Sequence, residues 1–222
     1  MTHTNGPASA QISNIRETLL MMASLADRNL SLAMRALVER DEKLADSVEA
    51  EDSQLDELEI SIDELVINHM ATHAPVATDC RFMLVASKIS SNLERIGDQA
   101  VAIARRSREL NKEPLLKPLI DIPRMATIAE GMLRDGVTAF IERKPELAQE
   151  IIKRDKEVDA INKQLARELT SFMLEDPSTI TRALNLTIVA RCLERVADHC
   201  KNIAEEVYYL YAAVDIRHER AP

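Results

Sequence analysis

One cassette is written twice in this chain, as LERIGDQA at 93–100 and as LERVADHC at 193–200. A chain that repeats itself in this way is constrained to fold as two copies of one unit, because both copies must satisfy the same pattern of apolar and polar positions. The duplication extends well beyond the cassette. Displaced by 103 residues, Leu25-Ala26 falls on Ile128-Ala129, Val38 on Ile141, Glu39-Arg40 on Glu142-Arg143 and Leu44-Ala45 on Leu147-Ala148. Asp52 and Asp56 fall in the same way on Asp155 and Asp159. Displaced by 100, Leu84, Leu93, Glu94, Arg95, Asp98, Ile103 and Ala104 fall on Leu184, Leu193, Glu194, Arg195, Asp198, Ile203 and Ala204. The three-residue slip is absorbed near Pro75 and Pro177, at turns that tolerate changes of length.

Each unit is helical. Leu19, Met22, Leu25, Leu30, Met34 and Leu37 recur at three- to five-residue steps, as do Leu44, Val48, Leu55, Leu58, Ile62 and Leu65. With 4 Gly, no Trp and 29% charged residues, the apolar mass rests on Leu, Ile, Val, Ala and Met, the balance of long amphipathic helices. Breakers cluster at Asn5-Gly6-Pro7, Ala74-Pro75, Pro114 to Pro123, Pro145 and Asp176-Pro177. They predict helices over about 9–40, 43–71, 77–111, 123–142, 146–174 and 178–212. The expected fold is all-α: two tandem three-helix bundles over 9–112 and 113–213, with tails at 1–8 and 214–222.

Several function classes are disfavoured. A formal net charge of −9 argues against nucleic acid and anionic lipid as partners. No run of 18 apolar residues occurs, so no membrane insertion is expected, and MTHTNGPASA lacks the marks of a secretory signal. Cys80, Cys192 and Cys200 have no CxxC spacing, which fits reduced thiols in a cytoplasm. Cys192 and Cys200 are expected as small buried hydrophobes, and Met21, Met22 and Met34 as fillers of core gaps. Val207, Tyr208, Leu210 and Tyr211 are expected to be exposed, as a dimer or partner face.

Each unit also carries two acidic pairs, Asp52/Asp56 with Glu94/Asp98, and Asp155/Asp159 with Glu194/Asp198. Four residues turn a helix by about 400°, so each pair shares one face. The centres of the first two pairs lie 21 residues before and 21 after the turn near Pro75. Those of the second two lie 20 before and 19 after the turn near 177. Antiparallel helices joined at these turns bring four carboxylates to one height, twice over. Such a cluster is unfavourable unless something positive neutralises it. A hard or borderline divalent cation suits oxygen donors best, with an ion-pair network through Arg95 and Arg195 as the alternative. Ser87, Ser90 and Gly97, with Thr187, Ala190 and Ala197, leave room beside the acids for metal, water or a close helix.

The stretches SNLERIGDQAVAIARR (91–106), ARCLERVADHCKNIAEEVYYL (190–210) and APVATDCRFMLVASKIS (74–90) resemble the PhoU family, regulators of bacterial phosphate uptake. The resemblance runs from about residue 10 to 218, including Arg217-His218. It implies metal at Asp52, Asp56, Glu94, Asp98, Asp155, Asp159, Glu194 and Asp198, with iron, zinc, manganese, magnesium or nickel as occupants. It further implies a cytoplasmic negative regulator without enzymatic activity. That regulator couples the ATPase subunit of the phosphate ABC transporter to the sensor histidine kinase of the phosphate regulon, and a homodimer is expected. Ala197 stands where the first cassette has Gly97, and His199 is expected beside the ion or on the surface rather than on the ion.

The rival class is a carboxylate-bridged di-metal enzyme on a helical bundle, which favours Glu-x-x-His. The chain has no such motif, only Asp215-x-x-His218, and no P-loop, GxGxxG or GxSxG. A metal-free scaffold is a third class. His69 and His73, four apart, have a zinc-compatible spacing but no Cys nearby, so a metal role there is not expected.

Overall fold

The computed structural model of this chain describes residues 7–216. Six helices follow in order: α1 (Pro7–Glu39), α2 (Glu42–Thr72), α3 (Ala77–Asn111), α4 (Asp121–Glu142), α5 (Leu147–Glu175) and α6 (Ile180–Ala212). A short 3₁₀ turn, Pro177–Thr179, leads into α6, and no strand occurs among the described residues. Local chemistry sets the ends. Asp41 starts α2 by accepting from the Lys43 amide at 2.9 Å, and Asp176 opens the turn before α6 by accepting from the Ser178 amide at 2.9 Å. Residues 1–6 and 217–222, with Arg217 and His218, lie outside the described residues, and α1 starts at Pro7, within the expected N-terminal tail.

The duplicated Glu-Arg at 39–40 and 142–143 closes the first helix of each unit by one device. Arg40 and Arg143 both adopt a left-handed backbone with φ of 58°. The next amide then reaches back five residues, Asp41 to the Ala36 carbonyl at 3.2 Å and Lys144 to the Ala139 carbonyl at 3.0 Å, the Schellman arrangement. That conformation costs a side-chain-bearing residue about 1 kcal/mol. The two arginines differ in what offsets it. The Arg40 guanidinium donates to the carbonyls of Asn111 and Glu113, both at 2.7 Å, tying α1 to the end of α3. Arg143 is exposed. Arg143→Gly is therefore expected to raise unfolding free energy by about 0.5–1 kcal/mol, and Arg40→Gly to lower it. Urea denaturation of both variants checks the opposite signs.

In the first unit α1, α2 and α3 pack on one another; in the second α4 packs on α5 and α6, and α5 on α6. The units are joined along α3 and α6, which pack as extensively on each other as α3 does on α1. The pairing is antiparallel: Lys88 meets Glu206 at 3.0 Å, Asn92 meets His199 at 3.0 Å and Arg106 meets Asn185 at 3.5 Å. This register puts the two Glu-Arg cassettes at the middle of the pair, beside the local two-fold that relates the units. A second junction lies at one end. The rings of Phe82 and Phe140 stack with centres 6.3 Å apart, and the Arg16 guanidinium lies beside the pair, 5.2 and 5.0 Å from their centres. Tyr211 donates from its hydroxyl to the Phe140 carbonyl at 2.8 Å.

Two surface expectations are corrected here. Val207 is fully buried, Leu210 is buried and Tyr208 and Tyr211 are half-buried, because α6 is packed on by α3, α4 and α5. Met22 and Met34 fill the core as expected, but Met21 is 57% exposed, one residue and about 100° away from the apolar stripe. Cys192 and Cys200 are buried, and burial pushes both thiols up. His69 is buried with Nδ1 held 3.0 Å from Gln11 Oε1, and its ring stacks on His73.

Candidate functional site

The eight acids predicted from the sequence stand on α2 and α3 in the first unit and on α5 and α6 in the second. Antiparallel pairing sets Asp52 against Asp98 and Asp56 against Glu94; their charges act on one another across the helix interface. In the second unit Asp198 feels Asp155 and Asp159, and Glu194 feels Asp159. In both halves charge coupling therefore runs across the helix pair, between acids that counting about the turns expected at one height.

The electrostatics match a gathering of negative charge that its surroundings only partly neutralise. Burial, then Asp56 and Asp98, hold the Asp52 carboxyl above the ordinary carboxylate range. Burial, then Asp98, push Glu94 up to about 7 against the opposing charge of Arg95. Glu59 and Asp56 add to it, and Glu59 is a neighbour that spacing alone did not mark. Glu194 is raised by burial, then by Asp198 and Asp159. Asp198 is raised by burial and by Asp155, with Lys201 opposing.

The arginines of the two cassettes behave differently. Arg95 lies 3.4 Å from Glu94 and 3.5 Å from Asp98. Arg195 makes no ion pair with a carboxylate among the described residues. An ion-pair network duplicated in both units is therefore not what the structure shows. While Arg191 and Arg195 act on Glu194 without an ion pair to it, the cation paired directly to a cluster carboxylate in the second unit is Lys201, whose Nζ lies 3.2 Å from Asp155 Oδ2. Sequence reasoning missed it, although a signal was there: position 101 of the first copy holds Val where 201 holds Lys.

The small residues beside the acids serve packing. A Cβ on Gly97 would meet Leu55 Cδ1 at 2.3 Å, so α2 lies directly against α3 there. Ser90 is fully buried and bonds its own helix at the Ser87 carbonyl. Ser87 donates to Asp63 at 2.6 Å. His199 is half-buried, with Nδ1 on Asn92 Oδ1; burial and then Arg95 and Arg195 hold its pKa down.

Among the described residues no three acid, imidazole or thiol side chains already form a cage for a metal ion. The donor set nevertheless suits one: all-oxygen donors from two rigid helices. Asp155 in addition is 5% exposed, with Oδ1 buried and lacking a hydrogen-bond partner.

Fold and site together define an all-α protein of two three-helix units, each with a carboxylate cluster on its second and third helices. The PhoU domain model matches residues 19–107 and 122–207, one copy in each unit, and the chain belongs to the PhoU family. It is 36% identical over 217 residues to a phosphate-specific transport system accessory protein PhoU homolog of Pseudomonas putida, covering 97% of this chain and 85% of that one. It is 32% identical to the phosphate-specific transport system accessory protein PhoU of Escherichia coli K12, covering 97% and 90%. The crystal structure of PhoU from Pseudomonas aeruginosa superposes with a TM-score of 0.90 at 35% identity, covering 93% of this chain and 99% of that one. A Streptococcus pneumoniae PhoU structure, 23% identical with a TM-score of 0.87, has the same fold. No helix among the described residues is long and apolar enough to cross a membrane.

Proposed function

We propose that this chain is a non-enzymatic, metal-binding regulator of phosphate uptake and homeostasis, acting in the cytoplasm. The observation that carries the metal part is the meeting of Asp52 and Asp56 with Asp98 and Glu94, repeated by Asp155 and Asp159 with Asp198 and Glu194. A divalent or transition-metal ion held there neutralises the raised carboxylates and pins the second helix of each unit to the third. Iron, zinc, manganese, magnesium and nickel are the candidates. On this reading the eight side chains bind and orient the ion.

The regulatory part rests on the relatives, two of which are described as phosphate-specific transport system accessory proteins. On this reading the partners are the ATPase subunit of the phosphate ABC transporter and the phosphate-sensing histidine kinase, which the chain restrains, as a homodimer, when phosphate is plentiful.

Elemental analysis of protein purified without chelator or a nickel column tests the metal part. Bound metal is expected, and it is expected to be lost in a variant carrying both Asp98→Asn and Asp198→Asn, which removes one carboxylate from each cluster. Metal-free protein, made more stable by the same substitutions, sinks it. For the regulatory part, a pull-down from cells grown with and without phosphate is expected to recover the transporter ATPase. Its absence in both conditions, with folded bait, removes the transporter assignment.

A further inference from the structure

Lys201 breaks the symmetry of the two clusters. Its Nζ lies 3.2 Å from Asp155 Oδ2, and the charges of Asp155, Glu205 and Asp198 all favour its protonated form. The ammonium thus stands among second-unit carboxylates, where it can answer one oxygen of a buried Asp155 whose other oxygen has no hydrogen-bond partner. At the equivalent position the first unit has Val101, 4% exposed, which supplies neither charge nor hydrogen bond. The cations near the first cluster come from its rim. Arg95 is 59% exposed at its side chain, and Arg105, which acts on Asp52, is 64% exposed and paired to Glu49 at 3.5 Å.

We propose that Lys201 is a built-in counter-cation for the second cluster, so that the two clusters are inequivalent and a divalent cation enters the first ahead of the second. This rests on the metal reading above and sharpens it. A tethered ammonium is present at fixed stoichiometry and needs no uptake from solution. Arg191 and Arg195 act on Glu194 much as Arg95 and Arg105 act on the first cluster, so the difference is the ammonium paired directly to Asp155. A dication arriving in the second cluster must repel or displace it, and one arriving in the first meets no such tethered ammonium. The same step that gives the second unit a permanent positive charge leaves the first as the responsive one.

The experiment is a calorimetric titration of manganese(II) into chelator-stripped protein. It compares the wild type, Lys201→Val and Lys201→Gln, each alone and combined with Asp98→Asn or Asp198→Asn. Circular dichroism confirms that each is folded, and the glutamine variant keeps a polar side chain should valine fail. In the wild type, the tighter uptake is expected to be lost with Asp98→Asn and nearly unchanged with Asp198→Asn. Removing the lysine charge is expected to raise the manganese bound about two-fold, with the added portion lost on Asp198→Asn. Equal sensitivity of wild-type uptake to the two asparagine substitutions, or no gain in either lysine variant, overturns the inference while leaving the metal reading intact. No uptake by any variant overturns both.

Discussion

Gly97→Ala is expected to destabilise the protein, and Leu55→Val to give back much of the loss when the two are combined. The added methyl would lie 2.3 Å from Leu55 Cδ1 and 3.6 Å from Cγ, the first far inside any carbon–carbon contact. Leu55 is 1% exposed, so its side chain has no solvent to swing into. Overpacking of this kind costs about 1–3 kcal/mol, against a gain of about 1 kcal/mol from replacing a helical glycine. A net loss of up to about 2 kcal/mol follows. Leu55→Val alone opens a small void and costs about 1 kcal/mol.

The second unit already contains the compensated pair. Val158 and Ala197 occupy the equivalent positions, both fully buried, so the smaller α5 residue accompanies the larger α6 one. The double substitution rebuilds that pairing in the first unit. Its cost is expected to fall short of the summed single costs by about 1 kcal/mol. Urea denaturation of the four proteins in a double-mutant cycle measures the difference, and strict additivity would mean that the two side chains do not compete for one space. The consequence reaches the candidate site, because Leu55 adjoins Asp56 and Gly97 adjoins Asp98. The residue that sets the spacing of α2 and α3 also sets how closely the carboxylates on them approach.

The architecture could be read from the chain because its signals are periodic and written twice. Expected helix bounds differ from the observed ones by two residues or fewer at each end. The convergence of Asp52 with Asp98 followed from counting about a proline turn, since an antiparallel pair converts sequence distance into height. What periodicity does not carry is which neighbour covers an apolar face. Val207 and Leu210 are read as exposed from the sequence because it does not show that α3, α4 and α5 all pack on α6. Nor does similarity of sequence reveal where two copies part company. Arg95 and Arg195 match in the alignment, yet only Arg95 pairs with its carboxylates, and the second unit uses Lys201 in place of an arginine. A single charge at an otherwise apolar repeat position leaves no periodic trace.

The second large effect expected is an inverted pH dependence of stability in the metal-free protein. Glu94 titrates at about 7 in the folded chain, against about 4.5 for an ordinary glutamate in the unfolded one. Between those values the folded state binds the extra proton, so unfolding free energy falls as pH rises through that window. Below about 4.5 both states are protonated and the penalty vanishes; above about 7 it is fully present. Asp52, Glu194 and Asp198 are raised from the same primary cause, burial, and act in the same direction. Partial exposure screens the charges, which leaves about 1 kcal/mol for Glu94, or about 2–4 °C in Tm for a chain of this size. His69 and His199, both depressed, pull the other way below about 6.5, because the unfolded chain then binds their protons more readily. The clean quantity is therefore the wild type minus Glu94→Gln, measured in chelator from pH 5.5 to 8, in which the histidine contribution cancels. That difference is expected to favour the glutamine variant increasingly as pH rises. Manganese(II) at pH 8 is expected to reverse it, by stabilising the wild type and not the variant. A difference that stays flat across the range would show that Glu94 is solvated in the folded chain and that no unneutralised charge waits there for a cation.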